Sequence, residues 1–138
     1  MAHTSYVPHS RWPISCVLAT ALTIGVLDFV WLSQRQTYHD TLFRTVQGTQ
    51  LTVRWIPAVC IYLLLPVILY IYAIQPSHTT AEALQHGALI GFFLYIFYDL
   101  TNYATLQGWT LEMTLTDALW GTVLCAVASA VGFYVVYA

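Results

Sequence analysis

The chain has 138 residues, of which 59% are hydrophobic, 15% aromatic and 7% charged, with a net charge of −2 and no lysine. A soluble domain carries about 25% charged residues, so a soluble fold is excluded, and no basic face is left for nucleic acid. The composition is that of a membrane protein, with the lipid bilayer as its first partner.

Residues 13–32, 55–74, 83–106 and 116–137 are apolar stretches that each reach or exceed the roughly 20 residues, at about 1.5 Å each, needed to cross a hydrocarbon layer of about 30 Å. The longest hydrophilic stretch, 33–54, is too short to enclose a core of its own. The expected fold is an all-α membrane protein: one domain over 1–138, built as a bundle of four transmembrane helices.

The first span is longer than the apolar core of a secretory signal. It runs through Asp28 into Trp31 and Arg35 without a small-residue cleavage pattern, so it is expected to be retained. Pro13 suits the first turn of a helix, where its missing N–H needs no partner. In the connection that follows, Tyr38, Leu42 and Val46 recur at intervals of four beside Phe43, while Arg35, Asp40, Arg44 and Gln47 take other faces. A short helix lying in the interface over about 36–47 fits this pattern, and so does an irregular surface loop. Pro66 should kink the second span, and Pro76 stops it. Thr79 with Glu82, and Thr114 with Asp117, match the pattern in which side chains satisfy the open amides of a helix start, the first for the third span and the second for the fourth. Gly121, Cys125, Ala128 and Gly132 trace a small-residue stripe on the last span, and Ser15, Ala19 and Thr23 trace one on the first. Close backbone approach along these stripes makes the two spans candidate neighbours. Cys16, Cys60 and Cys125 lie singly in three spans, an odd number without a CxxC pair, and read as buried small side chains.

Four alternating spans put 33–54 and 107–113 on one side, here the loop side, and both termini with 75–80 on the other. Trp31, Trp55 and Trp109 fall at the loop-side boundary with Trp120 one turn inside it. Trp12, Tyr70, Tyr72, Tyr134 and Tyr137 collect at the opposite one, giving two aromatic belts. Arg35, Arg44 and Arg54 against Arg11 place the loop side in the cytoplasm by the positive-inside rule.

An ionised Asp at the centre of a spanning helix costs about 2.5–3.5 kcal/mol on insertion scales, so each one calls for a partner or a use. Counted from the span ends, Asp28 lies about 6 Å, Asp117 about 2 Å and Asp99 about 10 Å from the loop-side boundary, which puts them in one layer. Asp28, Trp31 and Arg35 share a helical face, as do Tyr95, Asp99 and Asn102. The candidate polar layer is Asp28, Asp99, Asn102, Asp117, Arg35 and Arg54. Asp117 reads first as a helix-start residue and Asp28 as a carboxylate that snorkels or pairs with Arg35 or Arg54. Asp99 fits equally a buried structural carboxyl and a ligand or proton site. A hydrophobic ligand between helices would be lined by Trp31, Tyr95, Tyr98, Thr101, Trp109 and Trp120.

The runs YDLTNYATLQGW (98–109), TLTDALWGT (114–122) and LDFVWL (27–32) with Tyr38 downstream resemble a small bacterial membrane-protein family catalogued as domain of unknown function 2177. The resemblance covers nearly the whole chain. It implies four spans and supplies no activity; its motif positions are Asp28, Trp31, Tyr38, Tyr98, Asp99, Leu100, Thr101, Asn102, Trp109, Asp117, Trp120 and Gly121. The stretch DTLFRTVQGTQ after Tyr38 departs from the pattern, which has a glycine sooner after the leucine, and this leaves the shape of that connection open.

No nucleotide-binding glycine loop, HExxH, Ser-His-Asp set or depth-matched histidine pair is present, so neither a metal nor a cofactor is expected, while a bound lipid or other hydrophobic molecule fits. His3, His9, His39, His78 and His86 read as solvated or capping. The leading expectation is a non-catalytic component that is structural or binds a hydrophobic molecule, alone, self-associated or with other membrane subunits. A lipid-modifying enzyme using Asp99 or Asp28 as base is the second reading, and an oligomeric small-solute or proton transporter the third.

Overall fold

A computed structural model describes residues 13–137. It contains four helices: α1 (Pro13–Gln47), α2 (Trp55–Leu69), which runs on into a π-helical turn (Tyr70–Ile74), α3 (Thr80–Thr105) and α4 (Leu111–Tyr137). Each of the four, with the π turn counted into the second, is long and apolar enough to cross a membrane, and no strand occurs among the described residues. Arg11, Trp12, His3 and His9 lie outside the described residues.

The first helix departs from expectation. It does not stop near residue 32 and restart as a separate interfacial element; it is continuous for 35 residues, about 52 Å at 1.5 Å per residue, and so outruns a 30 Å hydrocarbon layer. No Gly or Pro interrupts 33–47, and the helix ends only at Gly48, whose positive φ of 74° turns the chain while its N–H still reaches the Arg44 carbonyl at 2.9 Å. The apolar face read from 38–46 is real, but it covers protein. Leu42 is buried with Trp109 and Met113, and Tyr38, Phe43 and Val46 pack around them. The extension thus roofs the α3–α4 turn.

Helix α4 sits at the centre, packed along α3 on one side and α1 on another. Small residues set the first seam. A Cβ on Gly91 would collide with the Gly121 carbonyl, and one on Gly121 with the Tyr95 ring, so only glycine permits this approach. The second seam joins Cys16, Thr20 and Ile24 of α1 to α4, where Gly132 faces Thr20 and Cys16. The expected α1–α4 neighbourhood is therefore present, but on a face one residue away from Ser15, Ala19 and Thr23, and Gly121 and Cys125 serve α3 instead. Cys16 and Cys125 are buried as expected; Cys60 is exposed, because it lies on the outer half of α2.

Helix α2 behaves differently at its two ends. Leu65, Pro66, Leu69, Ala73 and Ile74 are buried, whereas almost everything from Trp55 to Leu64 is exposed. Pro66 removes the N–H that would bond the Tyr62 carbonyl, and the ladder widens soon afterwards, with Gln75 N–H donating to the Tyr70 carbonyl at 2.8 Å. The π turn touches α3, α4 and α1 and closes the terminal side of the bundle. The loop-side half of α2 stands apart from α3.

Capping explains two of the starts. Thr79 accepts from the Glu82 N–H at 3.1 Å and the Glu82 carboxylate accepts from the His78 N–H at 2.8 Å, as the sequence pattern suggests. The pair Thr114 and Asp117 does not cap α4. The helix begins earlier, with Thr110 accepting from the Met113 N–H at 3.0 Å, so Thr114 and Asp117 lie inside it. Within the spans, Thr23, Thr101, Thr116 and Thr122 return their hydroxyls to carbonyls four residues back, so these groups need no partner on another helix.

Candidate functional site

The turn between α3 and α4 brings the acids together. Gly108, at φ 87°, lets the chain reverse within five residues. Asp99 lies six residues before the end of α3 and Asp117 six residues after the start of α4, so the two carboxyls face each other across the hairpin. Asp99 is fully buried and neither of its oxygens accepts a hydrogen bond; the Trp109 indole approaches it without closing one. Asn102, one turn further along α3, also buries its amide nitrogen without an acceptor.

Asp28 joins this layer from α1, but through other partners than arginine. Trp120 Nε1 donates to its Oδ1 at 2.9 Å and the Tyr62 hydroxyl to its Oδ2 at 3.0 Å, so one carboxylate ties α1 to both α4 and α2. Two neutral donors suffice for a half-buried carboxylate, and they leave Arg35 for another acid. Arg35 instead bonds Glu112 at 3.3 Å and lies over the rings of Trp31 and Tyr38, 5.2 and 4.5 Å from their centroids. It therefore belongs to the apolar face of the α1 extension, not opposite it. Arg54 is exposed at the start of α2 and forms no ion pair with the acids of the layer.

The aromatic residues divide into three groups. Trp31 and Trp120 stack face to face, with centroids 4.7 Å apart and planes 3° from parallel, at the α1–α4 seam. Trp109 is no membrane-belt residue. It is buried below the α1 extension, edge-on to Phe43 and Tyr98, because the α3–α4 turn folds it inward. His39 is buried as well, edge-on to Tyr38, since its segment is helix packed on protein and not a surface connection. His86 bonds another side chain, its Nδ1 lying 2.9 Å from the Ser77 hydroxyl.

Between the splayed half of α2 and α3 lies a cleft of about 460 Å³, walled by Ile61, Leu64, Leu65, Ile68, Leu94, Tyr95 and Tyr98, with Asp117 of α4 at its floor. Of the expected ligand-lining residues, only Tyr95 and Tyr98 are here. Trp31 and Trp120 are committed to each other, Trp109 is core, and Thr101 is exposed and bonded to its own helix. A second opening of about 800 Å³ lies on the other side of α2, against α1, and includes Gln36, His39, Asp40 and Tyr62. Among the described residues no group of three or more His, Cys, Asp or Glu is placed to hold a metal ion.

Sequence reasoning missed Tyr62, Glu112 and Thr110. Tyr62 carries the lone hydroxyl of 55–69, a signal that it serves a polar partner on another helix. Thr110 both caps α4 and bonds the Tyr38 hydroxyl at 2.7 Å. Beginning the fourth span at 116 hid Glu112 and Thr110 in a presumed loop.

The model of a family described as "Predicted membrane protein (DUF2177)" matches residues 14–134, which takes in nearly all of the four helices and the aspartate layer. The chain belongs to this family. Its description names a membrane protein and no activity. Neither the curated proteins nor the solved structures contain a match.

Proposed function

We propose that this multi-pass membrane protein is a non-catalytic component that holds a hydrophobic molecule in the cleft between α2 and α3, on its own or docked in a larger membrane assembly. The observation that carries this reading is the cleft itself. Its walls are aliphatic and aromatic, its volume falls within the roughly 300–1,000 Å³ of small-molecule sites, and a polar group stands at one point of its lining. The arginine excess at 35, 44 and 54 supports a cytoplasmic position for the loop side, with the termini opposite.

The test is purification from the native membrane in mild detergent, followed by mass spectrometry of retained lipids and co-purifying proteins. The expected result is a stoichiometric hydrophobic molecule in the wild type, lost in Leu94→Trp, whose indole fills the cleft, at unchanged thermal stability. A protein that emerges with no retained molecule, or retains it undiminished in Leu94→Trp, overturns the reading. Sidedness is checked by labelling Thr49→Cys in a Cys60→Ala background with a membrane-impermeant thiol reagent; protection in intact cells and reaction after lysis are expected.

A further inference from the structure

The polar end of the cleft restricts what it can hold. Asp117 lines it, and directly behind stands Asp99, fully buried with both oxygens lacking a donor. Asp28, the third acid of the layer, acts on Asp117 at longer range. Arg35 acts on Asp117 in the opposite sense at long range, but its ion pair is with Glu112 and it lies over two aromatic faces, while Arg54 is exposed at the start of α2. The remaining walls offer carbon and two tyrosines. A buried carboxyl pair that no other side chain bonds is costly unless the two share a proton or a positive charge reaches them, and the cleft is the open route to Asp117.

Resting on the reading that the cleft holds a hydrophobic molecule, we propose that its occupant is a single-chain amphiphile with a protonated amine head, the ammonium seated on Asp117 before the Asp99 carboxyl and the chain lying along Ile61, Leu64, Ile68 and Leu94. The ammonium supplies three donors and one positive charge to a carboxyl pair that forms no ion pair among the described residues. An anionic head brings no donor to the same acids, and a hydroxyl head supplies a single donor and no charge.

Full-length protein in detergent is titrated with dodecylamine, dodecanol and dodecanoate, which share a chain and differ at the head, and bound ligand is read by native mass spectrometry and by the shift in thermal unfolding. Dodecylamine is expected to bind at least tenfold more tightly than either of the others, and Asp117→Asn to lose that preference while still folding. Leu94→Trp, which leaves the acids in place, is expected to abolish binding of all three, and this keeps the test decisive should Asp117→Asn fail to fold. Equal binding of amine and alcohol, tighter binding of the carboxylate, or an amine preference that survives Asp117→Asn overturns the head-group assignment while leaving a hydrophobic site intact. Failure of all three ligands to bind the wild type, or binding unaffected by Leu94→Trp, overturns the cleft as a site and both proposals with it.

Discussion

The two helical seams beside the cleft are built on opposite principles. Where α3 meets α4, Gly87, Gly91, Gly121 and Cys125 let backbones nearly touch, and the contact runs through the whole depth of the bundle. Where α2 passes α3 on the loop side, Ile61, Leu64, Ile68 and Leu94 hold the backbones apart, and an opening remains. In lipid, apolar bulk gains little by leaving the acyl chains, so small residues drive tight association and large ones do not. The lesson is that a hydrophobic helix surface alone did not close this seam; the absence of glycine left it available.

Substitutions in each seam should break or sharpen this contrast. The largest effect is expected from Gly91→Leu, which pushes a side chain into the Gly121 backbone where nothing can yield. A loss of about 3 kcal/mol, the upper end for overpacking, should appear as a collapse of thermal stability in detergent. Gly121→Ala meets the Tyr95 ring, which has room to swing towards the cleft, so about 1–3 kcal/mol is expected, together with a reduced cleft. Asp28→Leu strips the acceptor from Trp120 and Tyr62. It should cost about 1 kcal/mol, in line with polar contacts between membrane helices, and should let α2 drift, read as faster proteolysis within 49–54. The smallest change is expected from Glu112→Gln. With Glu112 62% exposed, its link to Arg35 should contribute less than about 0.5 kcal/mol and fade as salt is raised. If Leu64→Gly in α2 were to stabilise the protein, closure of the cleft would be favourable and the contrast between seams would fail.

The four-helix fold was legible from length and composition because a bilayer imposes both on any helix that crosses it. The second and third spans were bounded within three residues, since Pro76 and the Thr79–Glu82 cap are local chemistry. The errors came where tertiary contact decides. The segment 33–47 reads as interfacial because its apolar face resembles one that lies on lipid, yet the surface it meets is Trp109 and Met113. Asp117 reads as a cap because Thr114 precedes it, but Thr110 competes for the role and wins, placing Asp117 level with Asp99. The partner of Asp28 was misassigned for a related reason. Charge complementarity favours arginine on paper, whereas helix rotation delivers Trp120 and Tyr62. The cleft was half legible: Tyr95 and Tyr98 follow from their phase with Asp99, but its aliphatic wall on α2 carries no polar mark.

The parallel indoles of Trp31 and Trp120 have a spectroscopic consequence. Two identical indoles stacked with centroids 4.7 Å apart and planes 3° from parallel share their excited states, so the ultraviolet absorption of the folded chain should contain an exciton shift that neither residue produces alone. Because one ring rides on the first helix and the other on the last, that signal reports their docking without any attached label, and it should vanish in Trp31→Phe while the far-ultraviolet helical spectrum persists.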